Sequence, residues 1–307
     1  MICGGAGFIG SHLTDRLLAD GHQVTVVDDL SNGRMENLAA ATASGRCELI
    51  KLDVVDAQFG SLARSVRPEV IFNLAAQIDV RASVADPLRD VTANVLGTVA
   101  VLEAARHAGV RKVVLASSVA IYGPPKQLPV REDTPPRPLS PYAVSKLAGE
   151  FYLRQYHDLY GLETTALVLT NTYGPRQNPH GEAGVVAIFA AAMLTGRPTW
   201  VFGDGDNRRD YVFVADVVDA FVRAAGPAAA GQRINVGTGR GVTDLELHRA
   251  VAEAVGGAPE PQRAPPRLGD LPAMVVDASA AAEILGWRPR TSLADGLAHT
   301  VAALRDA

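Results

Sequence analysis

Short apolar runs alternate with helical patterns through the first half of the chain. The apolar runs are rich in Val, Ile and Leu and show little polar alternation, which is typical of parallel strands buried on both faces. They predict strands at Gln23–Asp28, Cys47–Leu52, Val70–Leu74, Lys112–Ala116 and Thr164–Leu169. The helical patterns predict helices at Phe8–Asp20, Phe59–Val66, Pro87–Ala108 and Pro141–Tyr160. This alternation predicts an α/β fold with a doubly wound parallel sheet and right-handed crossovers.

The second half of the chain has a different character. Proline and glycine cluster at Gly174–Gly184 and at Gly256–Pro272, and we interpret both clusters as functional loops. Shorter helices are predicted at Val185–Thr195, Ala215–Ala225, Asp244–Val255, Ser279–Leu285 and Leu293–Leu304. We expect a cofactor-binding domain over residues 1–172, to which residues 209–236 return. A smaller C-terminal lobe over residues 173–307 is expected to bind the substrate.

Composition narrows the class of protein. The chain has 307 residues, of which 48% are hydrophobic, and its net charge of −4 gives no electrostatic case for binding nucleic acid, which favours a basic face. No apolar run approaches the length of a membrane span, and no leader segment precedes the first glycines, so we expect no membrane partner. The two cysteines, Cys3 and Cys47, lack metal or redox spacing, and no metal site is expected. A reducing, cytoplasmic location is therefore predicted.

A glycine-rich turn opens the sequence as Gly4-Gly5-Ala6-Gly7-Phe8-Ile9-Gly10. It satisfies both GxxGxxG and GxGxxG. Glycine is needed where backbone amides approach a pyrophosphate, and the last glycine lets the following helix pack on the sheet and point its N-terminus at the phosphates. Such a pattern alone is weak, because glycine turns without ligands are common. Only Met1, Ile2 and Cys3 precede the turn, so we expect the first strand to be incomplete as numbered.

An acidic residue follows the turn at the expected distance. Asp28 lies 18 residues after Gly10 and ends a predicted strand, which is where the ribose hydroxyls of a dinucleotide are held. The alternative is that Asp28 and Asp29 only begin a surface turn. Together with the glycines, they predict a Rossmann cofactor site. Because paired carboxylates would repel a 2′-phosphate, NAD is favoured over NADP.

A second set of residues carries candidate chemistry. Tyr142 and Lys146 lie four residues apart in a predicted helix and therefore share one face. An ammonium group beside a phenol stabilises the phenolate and is expected to lower the pKa of the tyrosine. Ser117 and Ser118 follow the strand predicted over Lys112–Ala116, so a hydroxyl lies at the edge where open α/β sheets bind ligands. The alternative role of these two serines is a helix cap or a turn.

These blocks resemble the extended short-chain dehydrogenases/reductases, and in particular the nucleotide-sugar 4-epimerases. The resemblance runs from end to end of the chain. Its blocks are GGAGFIGSHL, VVDDLSNG, LAAQ, SSVAIYG, SPYAVSK, NTYGPRQ, FGDGDNRRDYVFVADVVDA and RLGDLPAMVVDASAA.

The resemblance implies roles for individual residues. Tyr142 would be the general base, Lys146 its electrostatic partner and Ser118 the hydroxyl that bridges to the sugar. Together with the motifs above, it implies NAD contacts at Gly4, Gly7, Phe8, Ile9, Gly10, Asp28, Asp29, Leu30, Ser31, Gly33, Asp53, Val54, Leu74, Ala75, Ala76, Gln77, Asn94, Tyr142 and Lys146. It implies substrate contacts at Ser118, Tyr142, Asn171, Val185, Arg209, Arg267 and Asp270. For Arg209, an ordinary surface position beside Arg208 is the alternative.

The implied reaction is redox-neutral epimerisation at C4 of a UDP-hexose of the UDP-glucose/UDP-galactose type, through a transient 4-keto sugar. Val119 and Ala120 stand where related dehydratases and decarboxylases place carboxylates, which argues against those reactions. The sugar is less constrained, since Met274 replaces a tyrosine common in the family, and a UDP-glucuronic acid or UDP-N-acetylhexosamine remains an alternative. A net oxidoreductase and a non-catalytic NAD sensor are further alternatives. The family resemblance also implies a homodimer through Pro87–Ala108 and Pro141–Tyr160.

Overall fold

The computed structural model describes residues 1–180, 184–267 and 270–305. Its strands are β1 Ile2–Cys3, β2 Val24–Asp28, β3 Cys47–Lys51, β4 Val70–Asn73, β5 Lys112–Ser118, β6 Glu163–Leu169, β7 Asn171–Tyr173, β8 Trp200–Phe202, β9 Arg208–Phe213, β10 Gln232–Val236, β11 Gly241–Thr243, β12 Gln262–Ala264 and β13 Ala273–Met274. Its α-helices are α1 Phe8–Ala19, α2 Ala39–Ala43, α3 Gln58–Val66, α4 Val80–Ala85, α5 Pro87–Val91, α6 Gly97–Ala108, α7 Pro141–Tyr160, α8 Val185–Leu194, α9 Val214–Ala224, α10 Asp244–Val255, α11 Ser279–Leu285 and α12 Leu293–Arg305.

A seven-stranded sheet in the order β10-β6-β5-β4-β1-β2-β3 forms the centre of the fold. Its neighbouring strands all pair in parallel, so the predicted doubly wound sheet is confirmed. Alternate residues of β5 belong to different apolar clusters, with Val114 in one and Val113 and Leu115 in the other. The strands are therefore buried on both faces, which is why their sequences lack polar alternation.

The first strand is short but central. Ile2 of β1 pairs with Val26 on one side and Phe72 on the other. The ladder continues into the turn, since the Gly4 amide donates to the Val27 carbonyl at 2.8 Å. Two residues therefore connect both halves of the sheet and direct the chain into the glycine turn.

The predicted helix over residues 87–108 is divided by a π turn at Thr92–Leu96, between α5 and α6. The hydroxyl of Thr98 in α6 donates to the carbonyl oxygen of Asn94 in this turn at 2.6 Å. π turns of this kind often occur at functional sites, because they redirect a side chain out of the regular helical register. Asn94 is the central and buried residue of this turn.

The second half of the chain adds small sheets beside the main one. β9 pairs with β7, β11 and β13, and β12 pairs with β8. β10 instead returns to the main sheet and pairs with β6 over its whole length. Among the helices of the described residues, none has both the length and the apolar content that a bilayer crossing requires.

Candidate active site

The glycine turn is packed by main-chain contacts that only glycine permits. Gly4 has φ +78°, and a Cβ there would lie 2.6 Å from the amide nitrogen of Ala75. A Cβ on Gly10 would lie 2.2 Å from the Gly4 carbonyl oxygen. Gly7 is the N-cap of α1, and no side chain caps that helix end. The turn, α1 and the loop after β4 therefore meet closely, and the N-terminus of α1 presents amides to a bound anion.

Asp28 joins the end of β2 to this turn. Its Oδ2 accepts the amide of Ala6 at 2.9 Å, and its Oδ1 accepts the amide of Leu30 at 2.9 Å. The side chain is largely buried, and this burial raises the pKa of the carboxyl. A Cβ on Gly33 would lie 2.7 Å from Asp28 Oδ1, so the following turn also approaches the carboxylate closely.

The remaining predicted cofactor residues lie on loops that follow neighbouring strands. Asp29 is exposed, and its Oδ1 accepts both the amide and the hydroxyl of Ser31, at 2.9 and 2.7 Å. Asp53 follows β3 and is exposed, whereas Val54 beside it is buried. Residues 74–77 follow β4 and are half-buried.

Asn94 is joined to the loop after β4. Its Oδ1 accepts the amide of Gln77 at 2.9 Å, and its Nδ2 lies 3.0 Å from each of three acceptors, the Gln77 carbonyl, Asp90 Oδ1 and Ser145 Oγ. The side-chain amide is thus occupied by the protein itself. Contact of Asn94 with a cofactor stays a prediction, while its role in holding the loop is visible.

The three predicted catalytic residues meet at the carboxyl end of β5. Ser118 is the last residue of β5, and its hydroxyl is hydrogen-bonded to Tyr142. Lys146 Nζ donates to the Ala116 carbonyl at 3.0 Å and lies 5.8 Å from the centre of the Tyr142 ring. Ser140 caps α7 through the amide of Ala143, which fixes the start of the helix that carries both residues.

Burial dominates the acid–base properties of this group. It raises the pKa of the Tyr142 phenol above its ordinary value, although the hydrogen bond from Ser118 acts in the opposite direction. It lowers the pKa of Lys146 to about 8. For the protein alone, the direction at Tyr142 is thus opposite to the one that the Tyr-x-x-x-Lys spacing predicts, because desolvation disfavours the phenolate.

The predicted substrate residues lie on the second-half elements. Asn171 begins β7 and is exposed, and Val185 begins α8 and is half-buried. Arg209, Arg267 and Asp270 are brought together, since all three interact electrostatically with the carboxyl of Asp244 at the start of α10. These residues form a charged cluster of two guanidinium and two carboxylate groups.

Two features of the site are absent from the sequence-based set. The Arg267 guanidinium carbon lies 3.6 Å from the centre of the Phe202 ring, so Phe202 packs against one arginine of the charged cluster. Asp90 is fully buried beside Asn94 and contributes to the electrostatics of both Tyr142 and Lys146. The signal for Asp90 is its i, i+4 spacing to Asn94; no signal marks Phe202. In the described residues, no group of His, Cys, Asp and Glu side chains is arranged to hold a metal ion.

Comparison with known proteins gives a consistent result. The family model described as "NAD dependent epimerase/dehydratase family" matches residues 1–237. The chain is 57% identical to a UDP-glucose 4-epimerase of Mycolicibacterium smegmatis, over 100% of this chain and 98% of that protein. The solved UDP-glucose 4-epimerase of Thermotoga maritima with UDP-glucose has a TM-score of 0.94 at 42% identity, covering 99% of this chain and 98% of its own. The Thermus thermophilus UDP-glucose 4-epimerase in complex with NAD has a TM-score of 0.93 at 44% identity, covering 100% and 98%.

Proposed function

The chain belongs to the NAD dependent epimerase/dehydratase family, and we propose that it inverts C4 of a UDP-hexose, interconverting UDP-glucose and UDP-galactose. The observation that carries this proposal is the meeting of Ser118, Tyr142 and Lys146 at the carboxyl end of β5, at the same edge of the sheet where β1 leads into the glycine turn. A hydroxyl, a phenol and an ammonium group at one point are suited to removing a proton from a sugar hydroxyl and returning it.

The residues around the glycine turn fit NAD. The close main-chain contacts of Gly4 and Gly10 leave amides at the start of α1 for a pyrophosphate. Asp28 keeps unused acceptor capacity for ribose hydroxyls, and with Asp29 it disfavours a 2′-phosphate. When bound, NAD supplies a hydride acceptor and a positive charge that favours a nearby phenolate.

The protein's own residues handle the proton and the nucleotide. Tyr142, as the phenolate, takes the proton of the 4-hydroxyl, and Ser118 bridges to the same hydroxyl. Lys146 stabilises the phenolate by its charge. Arg209 and Arg267 hold the diphosphate through their guanidinium groups while the 4-keto sugar turns its other face towards the cofactor site. Tyr142 then gives its proton back to the oxygen on C4, and the hydride returns to that other face of the carbon.

The residues after Ser118 separate this reaction from related ones. Val119 and Ala120 begin the 3₁₀ turn Val119–Tyr122, directly after the catalytic hydroxyl. Loss of water or of carbon dioxide from the sugar needs an additional acid or base near its neighbouring carbons, and these apolar side chains supply none. They therefore favour epimerisation over dehydration or decarboxylation.

The test uses the purified protein with UDP-galactose, UDP-glucuronic acid and UDP-N-acetylglucosamine in parallel. Products are resolved by chromatography while the absorbance of reduced cofactor is followed. We expect conversion of UDP-galactose to UDP-glucose without net NADH. Formation of NADH in an amount equal to the sugar consumed would instead indicate a net oxidoreductase. A preference for UDP-glucuronic acid or UDP-N-acetylglucosamine would reassign the substrate. Bound NAD without product from any of the three sugars would favour a non-catalytic sensor.

We also propose that two copies associate through α5, α6 and α7. Large apolar side chains are exposed on this face, among them Leu88 at 79%, Phe151 at 58% and Leu159 at 67%. Exposed apolar surface of this kind is typical of interfaces, and the family resemblance implies a homodimer. Sedimentation tests the proposed dimer: the Phe151→Asp variant should sediment as a monomer and the parent as a dimer.

A cytoplasmic location is proposed from the free cysteines Cys3 and Cys47, since unpaired cysteines are typical of a reducing compartment.

A further inference from the structure

Asp90 is an unusual carboxylate. It lies in the last turn of α5 and is 0% exposed. Its Oδ1 lies 3.0 Å from Asn94 Nδ2 and 3.1 Å from Gln77 Nε2, both of which donate to it. Its Oδ2 is also buried and has no hydrogen-bond partner in the described part of the chain. A buried carboxylate that receives only amide hydrogens is costly to keep unless a positive charge lies nearby.

The hydrogen bonds of Asp90 connect it to the helix of the catalytic tyrosine. Asn94, which donates to Asp90, also donates to the Ser145 hydroxyl. Ser145 in turn donates to the carbonyl oxygen of Tyr142 at 2.9 Å. Asp90 therefore stabilises the unit that joins the loop after β4 to the first turns of α7.

Two carboxylates contribute to the electrostatics of the buried Lys146, namely Asp90 from α5 and Glu150 from α7 itself. Glu150 is already matched by a cation, because its Oε2 accepts from Arg233 Nε of β10 at 2.5 Å. Its Oε1 accepts the hydroxyl of Ser117. Of these two carboxylates, Asp90 accepts hydrogen bonds from neutral amides, and the described residues show no ion pair between it and a cation.

Other charged groups lie on the elements packed against these helices. Arg81 is the charged residue of α4, which packs on both α5 and α7. Glu103 of α6 accepts the Tyr156 hydroxyl at 2.7 Å, farther along α7. On α7, Tyr142 is the other titratable group on which Asp90 acts directly.

We propose that Asp90 is a positioning residue that keeps Lys146 charged and sets the pH range in which the Tyr142–Lys146 pair works. The inference rests on the proposed function for its kinetic readout only. Asp90 raises the pKa of both Tyr142 and Lys146 through its negative charge. If the charge is removed, both values fall, so both limbs of the pH profile move in the same direction.

The test compares Asp90→Asn with Asp86→Asn. Both variants remove one carboxylate from the same helix, but Asp86 is the exposed N-cap of α5, where asparagine caps equally well. The value of kcat/KM for UDP-galactose is measured across the pH range, with NAD content as a check of the fold. In Asp90→Asn, we expect the acid and alkaline limbs of the pH profile of kcat/KM to move down by about one pH unit. The variant should then be about tenfold less active than the parent on the alkaline side and more active than the parent on the acid side. Asp86→Asn is expected to follow the parent.

A second measurement does not depend on the substrate. Tyrosinate absorbance is titrated in the NAD-bound Asp90→Asn and in its Tyr142→Phe companion, and the difference gives the pKa of Tyr142. A value below that of the parent supports the inference even if UDP-galactose is not turned over, which would count against the proposed function alone. If Asp90→Asn does not fold, Asp90→Ser carries the same expectation. If the pH profile and the tyrosinate titration of the variant coincide with those of the parent and only kcat is reduced, Asp90 is merely structural and the inference is overturned.

Discussion

Replacing Gly10 by alanine tests the packing of the glycine turn. Gly10 lies in α1, where alanine is intrinsically better than glycine by about 1 kcal/mol. Its Cβ would, however, lie 2.2 Å from the Gly4 carbonyl oxygen, 2.7 Å from Gly5 Cα and 3.0 Å from the Gly4 carbonyl carbon. These are main-chain atoms that cannot rotate away, so the turn or the helix must shift, at a cost of roughly 3 kcal/mol as in overpacked cores. When the gain of about 1 kcal/mol from helix propensity is subtracted from the steric cost of about 3 kcal/mol, the expected net loss in unfolding free energy is about 2 kcal/mol.

Gly60→Ala is the matched control. Gly60 also lies in a helix, α3, and the nearest atom to its Cβ would be Arg64 Nη1 at 3.5 Å, the end of a flexible side chain. We expect Gly60→Ala to gain about 1 kcal/mol, since only helix propensity changes.

Both variants are followed by thermal unfolding monitored by circular dichroism, and by the NAD released from the purified protein. Gly10→Ala should melt below the parent and carry less NAD, because the amides at the start of α1 move with the turn. Gly60→Ala should melt slightly above the parent with its NAD content unchanged. Equal stability and equal NAD content in the two variants would refute the steric reasoning.

Three further predictions concern the chemistry. Tyr142→Phe should lose nearly all turnover and keep its NAD, since only the proton carrier is removed; a variant that stays active would refute the base assignment. Turnover should fall above about pH 8, because burial lowers the pKa of Lys146 to about 8 and the ammonium loses its charge above that value. This alkaline loss of turnover should be absent in Lys146→Arg. If the loss persists in that variant, a group other than Lys146 causes it. Arg209→Gln should raise KM for the UDP-sugar at least tenfold, which corresponds to a loss of about 1.4 kcal/mol of binding free energy. Arg208→Gln, at the neighbouring exposed position, should leave KM unchanged. Equal effects of the two substitutions would mean that Arg209 is an ordinary surface arginine.

Much of the fold could be predicted because its signals are local. The predicted helices at Pro141–Tyr160 and Asp244–Val255 agree with α7 and α10 at both ends. Each end carries its own signal: Ser140 and a left-handed Gly161 bound the first, and a capping box and Gly256 bound the second. The strands of the main sheet are likewise marked by their continuous apolar runs.

The features that escaped prediction depend on contacts between distant parts of the chain. β13 has two residues and β7 has three, too few for any periodicity, and both exist because they pair with β9. The burial of Asp90 depends on Gln77, which is 13 residues away on a loop. The direction of the Tyr142 pKa depends on how much of the ring is desolvated, which spacing alone does not give. The division into residues 1–172 and 173–307 and the individual ligand contacts stay predictions.

The pairing of β10 with β6 limits how this chain can be divided or grafted. A fragment that ends at residue 172 would keep the glycine turn and the Ser118, Tyr142 and Lys146 group, but it would leave the backbone of Glu163–Leu169 as an open edge. An unpaired, apolar edge strand is a template for association with other chains. A transplantable cofactor module must therefore include Gln232–Val236, and circular permutants that keep this strand beside β6 should stay dispersed where simple truncations aggregate.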